Sequence, residues 1–314
     1  MQYFLGVDAG GTKAEFALGD GTNELARVRV GTIKRMKANA ETTEANLVEA
    51  LRQLEAATGV SARAITRCCI GTAGESVPLV VNWLKEAFAR HVGGELLIVG
   101  DVEIALDSAF FGKRGVLVLA GTGSNVAGRA ATGQIARAGG WGPALADQGS
   151  GHFLGLEGLR RGFLAIDQRR QTRVLDDAQR FWKLESRADL IEFANANPAP
   201  DYSKLAPLMV AAAADDDAVA QEVVHQGGDD LAELASLVIE HVRSLEGDPA
   251  TFEVPAVAVA GSILERVAPL REAMAEGLRQ RYGAAVRVLD ASADPPAGAL
   301  WRARQPLNST QPLA

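Results

Sequence analysis

Within Phe4–Leu18, FLGVDAGGTKAEFAL, a carboxylate, two glycines, a hydroxyl and a lysine stand close enough together to hold a phosphate. Gly10 and Gly11 let the backbone approach a ligand, and successive N–H groups in such a turn form a concavity suited to phosphate oxygens. Thr12 adds a hydroxyl and Lys13 a charge, while Asp8 is placed to hold Mg²⁺ through water. The spacing is neither GxxxxGK[ST] nor a GxGxxG that opens a helix. An ordinary hairpin turn would read the same way. A second copy strengthens the phosphate reading: residues 116–129 run VLVLAGTGSNVAGR, an apolar run, the turn Gly121-Thr122-Gly123-Ser124 and a resumed strand. Two such units about 110 residues apart suggest related halves facing each other across a cleft.

Other stretches offer chemistry less sharply. Asp101 closes the apolar run LLIVG; it can cap the helix that follows or accept a proton from a substrate hydroxyl. Around Trp141 and Asp147, residues 139–150 read GGWGPALADQGS, a poor recipe for a packed element and a good one for a loop over a ligand. Trp141 there is equally suited to plug a hydrophobic gap, Asp147 to cap a helix, and His152 to a structural role. The basic loop GTIKRMK, residues 31–37, could reach an anionic or polar ligand or simply be solvated. Gly261-Ser262 makes a third glycine turn, where a base or ribose could rest. Asp215-Asp216-Asp217 reads as a helix cap rather than a metal site.

The elements that must position these residues follow from periodicity. Apolar run, glycine turn and period-two alternation predict a hairpin over 4–18, extended by a strand at Glu24–Val30. A helix over Ala40–Ala57, a buried strand Thr66–Thr72, a helix Val77–Arg90, a strand Leu96–Val99 and a helix Val102–Phe110 come next. That order predicts parallel strands after the hairpin, with ligands at their carboxyl ends. Asp8, Thr72–Gly74 and Asp101 then share one edge. The second half repeats the plan: a strand at Gln134–Ala138, a helix to about Gln168, mostly helical sequence over 172–246, a buried strand Pro255–Ala260, a helix to Arg281, a strand Val286–Leu289 and a closing helix Pro295–Arg304. The tail from Gln305 lacks apolar periodicity and is expected to be poorly ordered.

At 314 residues the chain suffices for two domains. Its net charge of −7 argues against non-specific nucleic-acid or anionic-membrane partners. No apolar run approaches the roughly 20 residues that span a bilayer, and the N-terminus lacks the basic start of a secretory signal, so a cytoplasmic location is expected. The only cysteines, Cys68 and Cys69, are adjacent on a predicted strand and point to opposite faces, so they suit small buried hydrophobes rather than a metal.

Taken together, GVDAGGTKAE (6–15), GTAG (71–74), IVGD (98–101), LAGTGSN (119–125), GGWGPALADQGS (139–150), AVAGSI (258–263) and PPAGAL (295–300) resemble, in order and spacing, the sugar kinases of the BadF/BadG/BcrA/BcrD ATPase group. That group lies within the actin–hexokinase–heat-shock-chaperone superfamily. The resemblance implies an α/β fold of two ribonuclease-H-like (actin-like ATPase) domains around a central nucleotide and sugar cleft. The expected division is 1–111 with 296–314 against 112–295, the latter carrying a helical insertion. It implies ATP-dependent phosphorylation of the 6-hydroxyl of an amino sugar, N-acetylglucosamine first and glucosamine or N-acetylmuramic acid as alternatives, with Mg²⁺, in a homodimer. Asp101 would be the general base. Asp8, Gly10, Gly11, Thr12, Lys13, Gly121, Thr122, Gly123, Gly261 and Ser262 would take ATP, with Mg²⁺ near Asp8. Thr72, Gly74, Asp101, Ser124, Asn125, Gly140, Trp141, Gly142 and Asp147 would line the sugar. The chain departs from the group after its third strand, where an Asn that contacts the sugar is replaced by GTIKRMK. An iron–sulfur activator ATPase of 2-hydroxyacyl-CoA dehydratase and a non-catalytic nucleotide sensor are the rival readings.

Overall fold

The computed structural model describes residues 1–75, 77–247, 250 and 252–306. The chain divides into two compact units, Met1–Lys113 together with the chain from Ala293, and Arg114–Ser292.

In the first unit the alternating apolar residues around the glycine turn form the expected hairpin, β1 (Tyr3–Ala9) and β2 (Lys13–Gly19), joined by β3 (Glu24–Gly31). β4 (Ile65–Gly71) pairs parallel to β1, and β5 (Glu95–Val99) parallel to β4, giving the order β3-β2-β1-β4-β5. The crossovers run through helices α1 (Ala40–Thr58) and α2 (Pro78–His91); α3 (Asp101–Phe110) follows β5. Asn39 starts α1 by accepting a 2.8 Å bond from Thr42 N–H, and Gly59 ends it in the left-handed region. Leu5, Val7, Phe16 and Leu18 pack with α1 and α2 residues on one face of the sheet. The adjacent cysteines split as the two-residue period requires: Cys68 belongs to that core, and Cys69 to the core on the other face with Phe4, Ala17 and Ile104.

That second face is closed by the last helix, which lies over Pro295–Arg304 as expected from its Pro-rich start. Arg302 binds buried Asp107, and also Glu103 at 3.3 Å. The helix sits so tightly that a Cβ on Gly298 would fall 1.8 Å from Ile104 O, inside the backbone of α3. Gly298→Ala is expected to force the helices apart and to destabilise the protein by about 1–3 kcal/mol, read as a lower denaturant midpoint. An unchanged midpoint would refute the close packing. Residues 307–314 of the tail lie outside the described residues.

The second unit repeats the topology. β6 (Gly115–Ala120), β7 (Ser124–Arg129) and β8 (Ile135–Gly139) are antiparallel neighbours, and β9 (Val257–Ala260) and β10 (Val288–Ser292) add parallel strands, in the order β10-β9-β6-β7-β8. The two glycine turns thus occupy equivalent places in equivalent sheets. Between β8 and β9 come α4 (Gly151–Asp167), α5 (Val174–Phe181), α6 (Arg187–Ala194), α7 (Ala206–Ala214) and α8 (Ala218–Glu246). Asp217 caps α8, as expected of the Asp215–Asp217 run, accepting from Val219 and Ala220 N–H. Two expectations are corrected. The single helix after Ser262 is two, α9 (Ser262–Arg266) and α10 (Ala268–Tyr282), because Pro269 has no N–H to offer Glu265 O and is tolerated only in the first turn of a new helix. The final strand begins at Val288 rather than Val286, whose side chain is buried against the core instead.

Candidate active site

The first candidate region grows from the parallel strands of the first unit. β1, β4 and β5 end together, with Asp8 opposite Gly71 and Gly71 opposite Val99. Asp8, Thr72 and Asp101 therefore emerge at one sheet edge beside the Gly10–Gly11 turn, as the expected strand order requires. Thr72 is fully buried, and its Oγ1 donates to Ala9 O at 3.2 Å while its N–H donates to Val99 O at 3.0 Å. Its hydroxyl is thus engaged in tying strand ends together. Gly74 lies just beyond, in the left-handed region.

Asp8 has unusual electrostatics. Burial raises its carboxyl to about 7, the charges of Asp101 and Glu15 add to the rise, and Lys13 and Lys34 oppose it. Glu15 faces Asp8 across the hairpin and is itself held by Lys13 and Arg29 at 2.8 and 2.7 Å. Asp101 is not the helix cap. Gly100 holds that position, and Asp101 is the first helical residue, its Oδ1 accepting from Val102 N–H at 2.9 Å. A carboxylate there is favoured by the helix N-terminus, yet burial raises its pKa; the Val102 bond and the Lys34 charge only moderate the rise.

The basic loop between β3 and α1 is not a solvated run. Ile33 is 1% exposed, and Lys34 and Arg35 are half-buried. Thr32 Oγ1 donates to Gly10 O at 2.8 Å, so the loop is bonded to the glycine turn itself. Lys37 extends over that turn, its Cε 3.7 Å from where a Cβ on Gly11 would lie.

A second candidate region forms, within the second unit, at the turn between β6 and β7. Gly121 N–H donates to Gly123 O at 2.8 Å, closing the turn. Asp147 folds onto it: its Oδ1 accepts from Ser124 N–H at 2.8 Å. The role of cap for α4 falls instead to Ser150, which accepts from Phe153 N–H at 3.1 Å. Burial raises the Asp147 carboxyl, with Ser124 N–H and His152 pulling it down. His152 stacks edge-on against Tyr202 and is held low by burial, consistent with a structural role. Gly261 and Ser262 follow β9, whose neighbour is β6. Gly261 takes φ +92° and lies so near Ala120 that a Cβ would be 2.5 Å from its carbonyl oxygen. This approach brings the Ser262 hydroxyl to 4.0 Å from a Cβ position on Gly121, uniting two segments 141 residues apart in the chain. Gly140 packs on the Asn125 amide, while Trp141 is 73% and Leu145 80% exposed in the loop beyond. Gly142 bridges to Ala146.

Among the described residues, three buried polar atoms here, Ser124 Oγ, Asn125 Oδ1 and Gln148 Oε1, have no hydrogen-bond partner. Buried polar groups are normally satisfied, so such a group points to a ligand. Gln148 was not singled out from the sequence, nor was Lys37 as an individual residue. Their signals were the position beside Asp147 and the basic run, neither of which predicts an unpartnered buried oxygen on Gln148 or a lysine laid over the glycine turn.

Comparison with known proteins agrees with this architecture. A kinase of Clostridium acetobutylicum named for N-acetylmuramic acid and N-acetylglucosamine is 31% identical over 197 residues, 62% of this chain, which spans 64% of that kinase. The N-acetyl-D-glucosamine kinase of Dictyostelium discoideum is 28% identical over 318 residues, covering 95% of this chain and 96% of its own. A Chromobacterium violaceum protein provisionally named N-acetylglucosamine kinase superposes with a TM-score of 0.75 at 25% identity, over 97% of this chain and 99% of its own. A ROK family glucokinase of Streptomyces griseus, solved with glucose and AMPPNP, shares the fold at a TM-score of 0.58 and 16% identity, over 96% and 98% of the two chains. The fold is that of two ribonuclease-H-like, actin-like ATPase domains. The sequence profile of the BadF/BadG/BcrA/BcrD ATPase family matches residues 5–303, and with both glycine turns set in equivalent sheets the chain belongs to that family.

Proposed function

We propose that the protein transfers the terminal phosphoryl group of ATP to the 6-hydroxyl of an amino sugar, N-acetylglucosamine first, with N-acetylmuramic acid and glucosamine as alternatives. The observation that carries this reading is the carboxylate of Asp101 at the same sheet edge as the Asp8–Lys13 turn. A base beside a phosphate cradle is what transfer to an alcohol needs. Asp101 takes the hydroxyl proton, its raised pKa bringing it nearer the working pH. The amides of Gly10, Gly11 and Thr12, and those of Gly121, Thr122 and Gly123, hold phosphate oxygens. Gly261 and Ser262 take the adenosine. Ser124, Asn125, Gly140, Trp141, Gly142 and Asp147 hold the sugar, which supplies donors for the unpartnered oxygens of Ser124 and Asn125. Thr72 supports this edge through Ala9, with Gly74 beside it.

Among the described residues no group of three or more His, Cys, Asp or Glu is arranged to hold a metal directly. That fits Mg²⁺, which keeps waters and substrate phosphates as ligands and asks the protein for only one or two carboxylates. Asp8 would hold it through water, and when bound it would offset phosphate charge. A cytoplasmic homodimer completes the proposal, on symmetry grounds; no described helix is long and apolar enough to cross a membrane. The iron–sulfur reading finds no support: burial pushes the Cys69 thiol up to about 12 and Cys68 well above its usual value, on opposite faces of one sheet.

An ADP-release assay across N-acetylglucosamine, N-acetylmuramic acid, glucosamine, N-acetylmannosamine and glucose tests the reading. Sugar-dependent ADP release, with a 6-phosphate as product, is expected from an amino sugar. Slow hydrolysis that no sugar stimulates would reject it in favour of a nucleotide sensor.

A further inference from the structure

The edge that carries Asp8, Asp101 and Glu75 is rich in carboxylates, and alone it would repel a triphosphate. The loop over residues 32–38 answers that charge. Its backbone is fixed from three sides. Thr32 Oγ1 donates to Gly10 O at 2.8 Å and accepts from Lys34 N–H at 3.1 Å. Asn46 Nδ2 donates to Thr32 O at 2.8 Å, and Trp83 Nε1 to Ile33 O at 3.0 Å. Lys37 and Ala38 N–H close the loop on Lys34 O at 2.9 and 3.2 Å. Lys34 is therefore carried by a rigid segment bonded to the phosphate turn. Its side chain is half-buried, and among the described residues its ammonium makes no hydrogen bond or ion pair. The charges that act on it are Asp101, Lys37, Asp8 and Glu75, all of this edge. A partly desolvated cation without a partner calls for an anion from a ligand.

We propose that Lys34 is a catalytic residue whose ammonium binds the non-bridging oxygens of the transferring phosphoryl group. The inference rests on the kinase reading above. A sugar oxygen forms its bond to the γ-phosphorus as the bond from that phosphorus to the β–γ bridging oxygen breaks. ADP departs with those electrons, and the hydroxyl proton passes to Asp101. Lys34 transfers nothing; it holds charge that grows or moves during the step. Two features favour a phosphoryl group over a carboxylate on the sugar. The loop is bonded to Gly10 of the phosphate turn, and Lys37 covers Gly11 of the same turn. Lys34 also lies within electrostatic reach of both Asp8 and Asp101, the residues on either side of the reacting phosphate in the proposed step.

The test compares Lys34→Met and Lys34→Arg with the wild type as full-length protein with Mg²⁺. Lys34→Met is expected to bind ADP as tightly as wild type, to lose roughly 10-fold in affinity for a non-hydrolysable ATP analogue, and to lose on the order of 100-fold in kcat, the scale seen when one charge-stabilising donor is removed. Lys34→Arg is expected to recover part of both losses. Unchanged ADP binding establishes that the variant is folded. Equal weakening of ADP and analogue, or wild-type kcat, would overturn the proposal. So would a loss confined to N-acetylmuramic acid with N-acetylglucosamine turned over normally, which would assign the charge to a sugar carboxylate. Should wild-type protein phosphorylate no sugar, the kinase reading fails, and the ADP-against-analogue comparison still decides the role of Lys34.

Discussion

Asp101→Asn is expected to lower kcat by about 10²–10⁴-fold, the range that a positioned general base contributes, while ATP affinity stays near wild type. The substitution is well suited to isolate chemistry from folding. The amide oxygen of Asn can still accept the 2.9 Å bond from Val102 N–H that orients Asp101 at the first position of α3. What it cannot do is take a proton. A pH profile adds a second reading. Burial lifts the Asp101 carboxyl above its ordinary value, and a base acts only when ionised. Activity should therefore fall with decreasing pH at a higher pH than an exposed aspartate would dictate. Full activity in Asp101→Asn, measured by steady-state kinetics with saturating ATP and sugar, would end the assignment.

Asp8→Asn should divide stability from activity. In the folded chain the Asp8 carboxyl keeps its proton up to about 7, whereas in the unfolded chain it releases it near 4. Between those values the native state binds more protons than the unfolded one, so this group's contribution to stability is intact below about pH 4 and is lost as pH rises toward 7. Above that it costs the native state on the order of 4 kcal/mol. Replacing the acid by a neutral amide removes the penalty. The variant should unfold at a higher temperature than wild type at pH 8, with the difference shrinking toward zero near pH 4. On the proposed function, bound Mg²⁺ and nucleotide would reverse the balance in the wild type, because a cation beside the carboxylate favours its ionised form. Mg²⁺-dependent turnover in Asp8→Asn should accordingly fall. Parallel melting curves for the two proteins across pH 4–8 would show that Asp8 is not destabilised by its site. A residue that weakens the empty protein and is needed by the loaded one is the usual signature of a site shaped for its ligand.

The amino-acid sequence by itself determined the local elements and their order. The period-two alternation of Ala14, Phe16 and Leu18, the glycine turns at 10–11 and 121–123, and the cap at Asp217 each act within a few residues, so they are legible before any contact is known. The repeated strand–turn–strand likewise foretold two sheets of the same order. Adjacency on a strand was enough to send Cys68 and Cys69 to opposite faces. Tertiary structure alone decided which polar groups are buried and which partners they find. The Thr72 hydroxyl donates to Ala9 O because two parallel strands end side by side there, a bond no local pattern announces. Asp147 reads as a cap, but a turn 23 residues earlier supplies the N–H that takes it. Lys34 reads as part of a solvated basic loop, but Thr32, Asn46 and Trp83 pull that loop into the protein and leave its ammonium half-buried among carboxylates. Gln148 carries no signal in its type or spacing, yet its buried oxygen lacks a partner among the described residues. Burial and hydrogen-bond satisfaction are sums over neighbours distant in the chain, so a single strand of residues does not encode them in any one stretch; they exist only once the sheets and helices have packed.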